Sequence, residues 1–457
     1  MNPETGGAKY QPVISWLFLS RFFSRHNHLF VAGSAWVSRI IMALVQLVSI
    51  RVLMGTLGVE QYAMFALLVG LLHWYMLADI GLGISTQNKI SECRARESSY
   101  GSHVAVAGLI AIVLLFVSII ALYASSPYLA QKFLKAFPDI SDQEKARNFF
   151  LTGALFIAAG IGNISYKIWY AEHRGYLAHI LPAVASLLGL LGIILLSRSE
   201  NGSSIYASLL VFNAPSAILA FGSLLMQIVR HAEGIKAIHP PLIKKTLSRA
   251  FKFWFTAILG TVVLQIDYLV ISQVLEAHQI LIYILCTKVF GFISFFFTSI
   301  LWALWPTFAE AVSRGDWDGV KRSLAKCIRR GMLFVTGATI ALVYAMPYIT
   351  EMLAPGQAVH IPTQLVLLMG AYHLLRVIDD AYTVMLQSMN VLWPLWLFVP
   401  IQAVICVVFQ FQLAPAYGAN GIVIGLVASF LLTVIWGLPL TTKKEFEKLR
   451  IHQSGEK

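Results

Sequence analysis

Long apolar stretches follow one another along almost the whole chain, and only short polar connections separate them. Twelve of these stretches approach or exceed the roughly 20 residues that a helix needs to cross a membrane. They do not alternate with period two, which argues against the strands of a transmembrane barrel. The twelve predicted spans are residues 29–54, 61–84, 103–124, 149–171, 177–197, 204–229, 253–274, 279–304, 331–354, 362–388, 392–413 and 418–440. The pattern therefore predicts an all-α polytopic membrane protein.

Composition agrees with this fold class, because 58% of the residues are hydrophobic and only 12% are charged. Such usage lies outside that of soluble domains. The apolar segment 14–20 is too short to span and is flanked by Arg21 and Arg25, which favours a helix lying on the membrane surface. No connection is long enough to fold into a soluble domain, so the function must lie within the membrane.

A basic connection at residues 230–252 divides the predicted spans into six and six. We expect a six-helix bundle on each side of it, residues 29–229 and 253–440, around a central cavity. Two halves that enter the membrane with the same orientation would be related by an axis along the membrane normal, as in some transporters. Residues 1–28 and 441–457 complete the chain as an N-terminal segment and a basic tail.

The distribution of positive charge predicts the orientation of the spans. Most of the 34 Lys and Arg residues fall on the side of the membrane that holds both termini, whereas the loop around Asp139 lies on the other side. Lys and Arg are enriched in cytoplasmic connections, so both termini are predicted to be cytoplasmic. The net charge of +12 is then a topology signal and a source of contact with anionic lipids, and nucleic acid need not be invoked.

Three cations lie more than five residues from either end of a predicted span, where each costs about 2.5 to 3.5 kcal/mol on the insertion scale. Arg39 and Lys288 have no acidic residue within a helical turn, which favours a position beside a cavity that binds an anion. Arg376 has Asp379 and Asp380 three and four residues further on. Local pairing and a cavity role are therefore both open for Arg376.

Carboxylates at membrane depth are candidates for binding a proton or a cation that drives transport. Asp79, Asp267 and Asp380 are the candidates in this chain. Asp380 is the weakest of them because Arg376 lies one turn away on the same helix.

Several short strings give the chain a resemblance to a known family. They are residues 51–62 with Gly55, Leu57, Gly58, Glu60 and Tyr62, then Trp74, residues 79–82 (DIGL), residues 265–267 (QID) and residues 301–306 (LWALWP). These strings are similar to those of Wzx-type O-antigen repeat-unit translocases in the multidrug/oligosaccharidyl-lipid/polysaccharide superfamily. The likeness covers the whole length, and the first eight helices carry it best.

The resemblance implies a flippase that moves an undecaprenyl-pyrophosphate-linked oligosaccharide from the cytoplasmic to the periplasmic leaflet of a bacterial inner membrane by alternating access. Arg39, Lys288 and Arg376 would then neutralise the diphosphate. Aromatic side chains would stack on the sugars, and the candidates are Trp74, Tyr268 and Trp302. Expected partners are the lipid-linked oligosaccharide, membrane lipids, and the polymerase and chain-length proteins of polysaccharide assembly.

Two alternative functions remain open at this point. A drug or cation exporter of the same superfamily would have a cavity governed by carboxylates, whereas Arg and Lys here at least equal Asp within the spans. A polysaccharide polymerase or ligase would carry a large outer loop, and the longest outer connection here is residues 125–148. The sequence contains no phosphate-binding Gly-rich loop and no Cys/His cluster, so we expect no catalysis, metal or cofactor.

Overall fold

The structure is a computed structural model that describes residues 27–199, 204–357, 359–389 and 391–455. The surface helix predicted at residues 14–20 lies outside these ranges. Within them, the regular elements are all helices. The N-terminal half contains α1 (Asn27–Gly70), α2 (Leu72–Met76), α3 (Leu82–Ala95), α4 (Gly101–Phe133), α5 (Asp142–Gly162), α6 (Ile164–Ala171), α7 (Gly175–Leu196) and α8 (Ile205–Arg230).

The C-terminal half follows a short 3₁₀ helix at Ala232–Ala237. It contains α9 (Pro240–Val274), α10 (Ala277–Ser313), α11 (Trp317–Leu353), α12 (Thr363–Ser388), α13 (Trp393–Tyr417), α14 (Ala419–Leu432) and α15 (Val434–Gly455). A second 3₁₀ helix, Leu77–Asp79, joins α2 to α3 in the first half.

Nine helical stretches of the described chain are long and apolar enough to cross a membrane. The first of them, Gly33–Asp79, contains two of the predicted spans, because Gly58 interrupts α1 with φ 75° and ψ 177°. A side chain rarely adopts this backbone conformation, which explains the glycine. The seventh and tenth predicted spans are also helical, in α9 and α12. All twelve predicted spans are therefore largely helical, with a turn at Ile80 and Gly81 inside the second.

The outward faces of the helices are apolar, as a lipid environment requires. Large hydrophobic side chains such as Phe116, Ile120 and Val229 are more than half exposed. Inside, a continuous core runs through both halves and includes Tyr62 and Phe290. A protein whose apolar side chains point both inward and outward is a multi-pass membrane protein.

Some helices continue beyond the apolar layer through basic segments. The connection 230–252 is largely helical, because α9 begins at Pro240 with prolines in its first turn, a position that favours a helix start. The tail is also helical, since α15 continues to Gly455. Asp316 caps the start of α11 by accepting the Gly319 amide at 2.9 Å. At 37 residues, α11 is about 55 Å long, longer than the apolar layer is thick.

Candidate functional site

The two halves meet where α2 and the turn after it pack against α9. The Trp74 indole donates from Nε1 to the backbone oxygen of Gln265 at 3.2 Å. In the opposite direction, the Trp254 indole donates to the backbone oxygen of Leu77 at 2.9 Å. Each half thus supplies one indole that binds the backbone of the other. The sugar-stacking role predicted for Trp74 stays a prediction, and its polar edge is already occupied.

Tyr268 lies in the same interface, with its ring against α1 at Gly70. A Cβ atom on Gly70 would lie 2.2 Å from a ring carbon of Tyr268, so only glycine leaves room for the ring. The side chain of Trp302, the third predicted sugar-stacking residue, lies outside the described part of α10.

Lys288 is partly buried on the face of α10 that turns toward the first half. Its Nζ lies 6.0 Å from the centre of the Tyr62 ring, a cation–π contact with a fully buried aromatic side chain of α1. No carboxylate among the described residues lies within ion-pair distance of Lys288. In the described structure, this cation therefore contacts an aromatic face and no carboxylate.

Arg39 faces the same helix from the N-terminal part of α1. Its guanidinium lies 5.9 Å from the centre of the Phe295 ring, which also meets Trp36 edge-on at 5.7 Å. Phe295 follows Lys288 by seven residues, two helical turns, so both lie on one face of α10 about 10 Å apart along its axis. Arg39 and Lys288 are thus placed along one seam between the halves.

Asp267 of α9 is held by two donors. The Tyr283 hydroxyl donates to its Oδ2 at 2.5 Å, and the Tyr268 amide donates to its Oδ1 at 3.0 Å. Tyr283 is fully buried and belongs to α10, the helix that carries Lys288. This carboxylate therefore lies inside the protein, at the junction of α9 and α10.

Arg376 of α12 forms a local ion pair. Its Nη2 lies 3.2 Å from Asp380 Oδ1 and 3.4 Å from Oδ2. The side chain also interacts with the Tyr372 hydroxyl. Of the two possibilities that the sequence left open, local pairing is the one seen. Neighbouring Asp379 keeps a buried Oδ1 without a hydrogen-bond partner in the described structure.

Asp79 serves the backbone of a tight turn. Its Oδ1 accepts from the Gly81 amide at 2.8 Å and its Oδ2 from the Gly83 amide at 3.2 Å, so it caps the start of α3. Ile80 and Gly81 both have positive φ, 44° and 77°. The hydrogen bonds of Asp79 therefore serve the backbone of this turn and do not involve Arg39 or Lys288.

A second inter-half contact was missed by sequence reasoning. Arg249 of α9 binds Glu92 of α3 at 2.5 Å, and Lys89 binds the same carboxylate at 3.2 Å. These two cations hold the pKa of Glu92 at about 2, below its ordinary value. A small cavity of about 30 Å³, lined by basic and hydroxyl groups, lies beside the pair. Sequence reasoning missed the contact between Glu92 and Arg249 because the two residues are far apart in the chain. It missed the contacts of Tyr62, Phe295 and Tyr283 for the same reason.

Solved structures share this two-bundle architecture. The lipid II flippase MurJ in an inward-closed conformation matches with a TM-score of 0.66 at 14% identity, covering 93% of this chain and 90% of that one. An outward-facing multidrug transporter of the MATE family matches with a TM-score of 0.61 at 12% identity, covering 93% and 96%. The chain therefore shares the fold of these transporters, the second of which belongs to the multidrug/oligosaccharidyl-lipid/polysaccharide superfamily.

Sequence relatives define the family within that superfamily. A candidate O-antigen export protein of Yersinia pseudotuberculosis is 34% identical, over 93% of this chain and 97% of its own length. A candidate O-antigen transporter of Salmonella typhi is 39% identical, over 91% and 95%. No family model matches the chain. At this identity and coverage, the chain belongs to the O-antigen transporter family, which confirms the predicted resemblance.

Proposed function

We propose that this protein flips an undecaprenyl-pyrophosphate-linked O-antigen repeat unit from the cytoplasmic to the periplasmic leaflet of the inner membrane. The observation that carries the proposal is the seam on α10, where Arg39 and Lys288 of opposite halves lie without carboxylate partners in the described chain. The names of the sequence relatives point to the same cargo. The polyprenyl tail stays in the bilayer while the diphosphate and sugars cross between the halves.

An anionic cargo fits the charges better than a cationic drug does. Each predicted carboxylate is already engaged: Asp79 by two backbone amides, Asp267 by Tyr283, and Asp380 by Arg376. A diphosphate taken out of water requires compensating positive charge, because an isolated ion is very costly in an apolar medium. Arg39 and Lys288, which have no carboxylate partner in the described chain, supply this positive charge. Their presence favours a flippase over a drug exporter.

Arg376 would join the diphosphate site only by exchange. Its guanidinium is bound to Asp380, so a phosphate would have to replace that carboxylate. Arginine binds phosphate and carboxylate in the same bidentate geometry, which permits such an exchange. The release of Asp380 would then accompany cargo binding.

Movement between inward-open and outward-open states would separate the halves, residues 29–229 and 253–440, about the connection 230–252. Of the three candidate coupling carboxylates, Asp79, Asp267 and Asp380, we propose Asp267. Asp267 fits this role best, since it lies between the two helices that face the first half and its hydroxyl donor comes from α10. Polymerase and chain-length proteins would receive the cargo on the periplasmic side.

Reconstituted vesicles test the proposal directly. The purified full chain is placed in liposomes that carry a fluorescent polyprenyl-diphosphate oligosaccharide in the inner leaflet, and exposure of the sugar outside is followed with a membrane-impermeant glycosidase. We expect exposure that depends on the protein and that is lost when Arg39 and Lys288 are both changed to Gln. Equal exposure in protein-free liposomes, or efflux of a cationic dye without sugar exposure, would contradict the proposed function.

A further inference from the structure

A groove on the C-terminal half is separate from the seam between the halves. It has a volume of about 710 Å³ and is lined by α11, by α15 and by Tyr382 of α12. At its base α11 and α15 touch through Trp317 and Phe446, whose rings meet edge-on at 5.4 Å. Neither Arg39 nor Lys288 lines this groove.

The walls of the groove are apolar along most of its length. Leu324, Ile328, Met332 and Leu333 line it from α11, and Leu440 is among its lining residues on α15. From residue 321 to residue 333, α11 rises about 18 Å, and the groove reaches the predicted spans 331–354 and 418–440 at Met332, Leu333 and Leu440. Leu333 is 69% exposed and Leu440 is 54% exposed, so the groove opens sideways to the surroundings of the protein.

Three cations line the same groove, with Lys321 at one end and Arg329 about 12 Å further along α11. Its lining includes Lys321, Arg329 and Lys443 and contains no acidic residue. In the described part of the chain, none of the three forms an ion pair, and Lys321 instead lies 5.9 Å from the centre of the Phe446 ring. This end lies near the start of α11 and the basic tail, on the side where the positive charge predicts the cytoplasm.

We propose that this groove is a binding site for an anionic phospholipid of the cytoplasmic leaflet. It meets the predicted spans at Leu333 and Leu440, its open side there admits an acyl chain from the bilayer, and its cations match a phosphate headgroup. Basic side chains near an anionic lipid surface each strengthen the attraction, and their apolar stems pack beside the acyl chain. The lipid would fill the space between α11 and α15 and hold the two helices at a fixed separation.

The site is tested with the purified full chain in detergent, by native mass spectrometry and by thermal unfolding with added lipid. The probes are dioleoylphosphatidylglycerol and dioleoylphosphatidylcholine. We expect phosphatidylglycerol to remain bound and to stabilise the protein more than phosphatidylcholine. The variant K321Q/R329Q/K443Q should bind phosphatidylglycerol about tenfold more weakly or worse.

Matched controls separate the groove from general surface charge. The variant R322Q/K326Q/K444Q removes three exposed cations from the same two helices but outside the groove, and it should retain the lipid preference. I328W should fill the groove and displace the lipid, whereas F334W, an exposed position outside it, should not. These tryptophan variants leave the basic residues unchanged and so test the site even where the triple variant fails to fold.

Two further probes identify the source of the phosphate. Equal loss of lipid binding in both triple variants, or equal binding of the two phospholipids, would overturn the proposal. Displacement of phosphatidylglycerol by geranylgeranyl diphosphate but not by an equal amount of anionic lipid would also overturn it, because the groove would then belong to the cargo. Transport by the vesicle assay is measured separately, so failure of the lipid site leaves the proposed flippase activity untouched.

Discussion

Arg249 donates a hydrogen bond to Glu92 at 2.5 Å, and this ion pair joins α9 of the second half to α3 of the first. The contact lies at the end of the molecule that carries the basic connections. Because both cations beside Glu92 hold its pKa at about 2, below 4.5, the stabilisation is complete above pH 4.5 and is lost as the pH falls toward 2. At neutral pH the pair is fully ionised, and it links the two halves at this end of the molecule.

If this inter-half pair limits access between the halves, changing Glu92 to Gln should increase access at this end. The reporter is Cys placed at buried Ser85, which lines the small cavity beside the pair, in a chain whose four native cysteines are changed to Ala. We expect its labelling by a membrane-impermeant maleimide to rise several-fold in E92Q. Glu97, exposed on the same connection, supplies the control E97Q, which should not change labelling. Unchanged labelling in E92Q would rule out a closing role.

The sequence predicted the spans and their order well, because helix length and apolarity are local properties. It also identified Arg39 and Lys288 correctly as cations without nearby acidic residues. What it could not predict are contacts between distant segments. Tyr62 and Phe295 are ordinary core residues in sequence, and only the packing of α1 across α10 brings them to the two cations. The capping role of Asp79 was also missed, since it depends on positive φ at the next two residues.

The structure predicts that Asp79 acts on stability rather than on ion coupling. D79A removes both acceptors of the Gly81 and Gly83 amides and should lower the stability of the protein by about 1 kcal/mol, as loss of a helix cap does. D79N keeps one acceptor oxygen and should retain transport. Thermal unfolding and the vesicle assay are measured on both variants. Loss of transport in D79N with an unchanged unfolding temperature would instead indicate coupling.

Arg39 and Lys288 should be required for transport because they carry charge along the seam. R39Q and K288Q should each reduce transport about tenfold or more, a loss of about 1.4 kcal/mol of interaction with the cargo. R39K should recover only part of it, since a lysine cannot bind phosphate through two parallel donors. R322Q removes an exposed cation of α11 and serves as the control. Surface O-antigen, normalised to protein in the membrane, reports the result, and wild-type levels in the double variant would contradict a cargo role.

The orientation is tested with reporter fusions at two positions. Ser141 is exposed at the start of α5, and Lys245 is exposed in the basic first turns of α9. Alkaline phosphatase, which is active only outside the cytoplasm, should be active after Ser141 and inactive after Lys245. A fluorescent protein that matures in the cytoplasm should give the opposite pattern. The reverse result for both reporters would invert the predicted topology.

The ion pair of Arg376 with Asp380 allows structural and cargo roles to be separated. R376Q and D380N each leave one partly buried charge without its partner, and both should lower stability. The double variant R376Q/D380N removes both charges of the pair and leaves Asp379 as before except for the loss of nearby Arg376. Its stability should therefore recover in part, with a coupling of about 1 kcal/mol in a double-mutant cycle. Transport should not recover if Arg376 binds phosphate by exchange with Asp380, because the guanidinium is gone. Recovery of both stability and transport in the double variant would show that the pair only fixes α12, and that Arg39 and Lys288 suffice for the diphosphate.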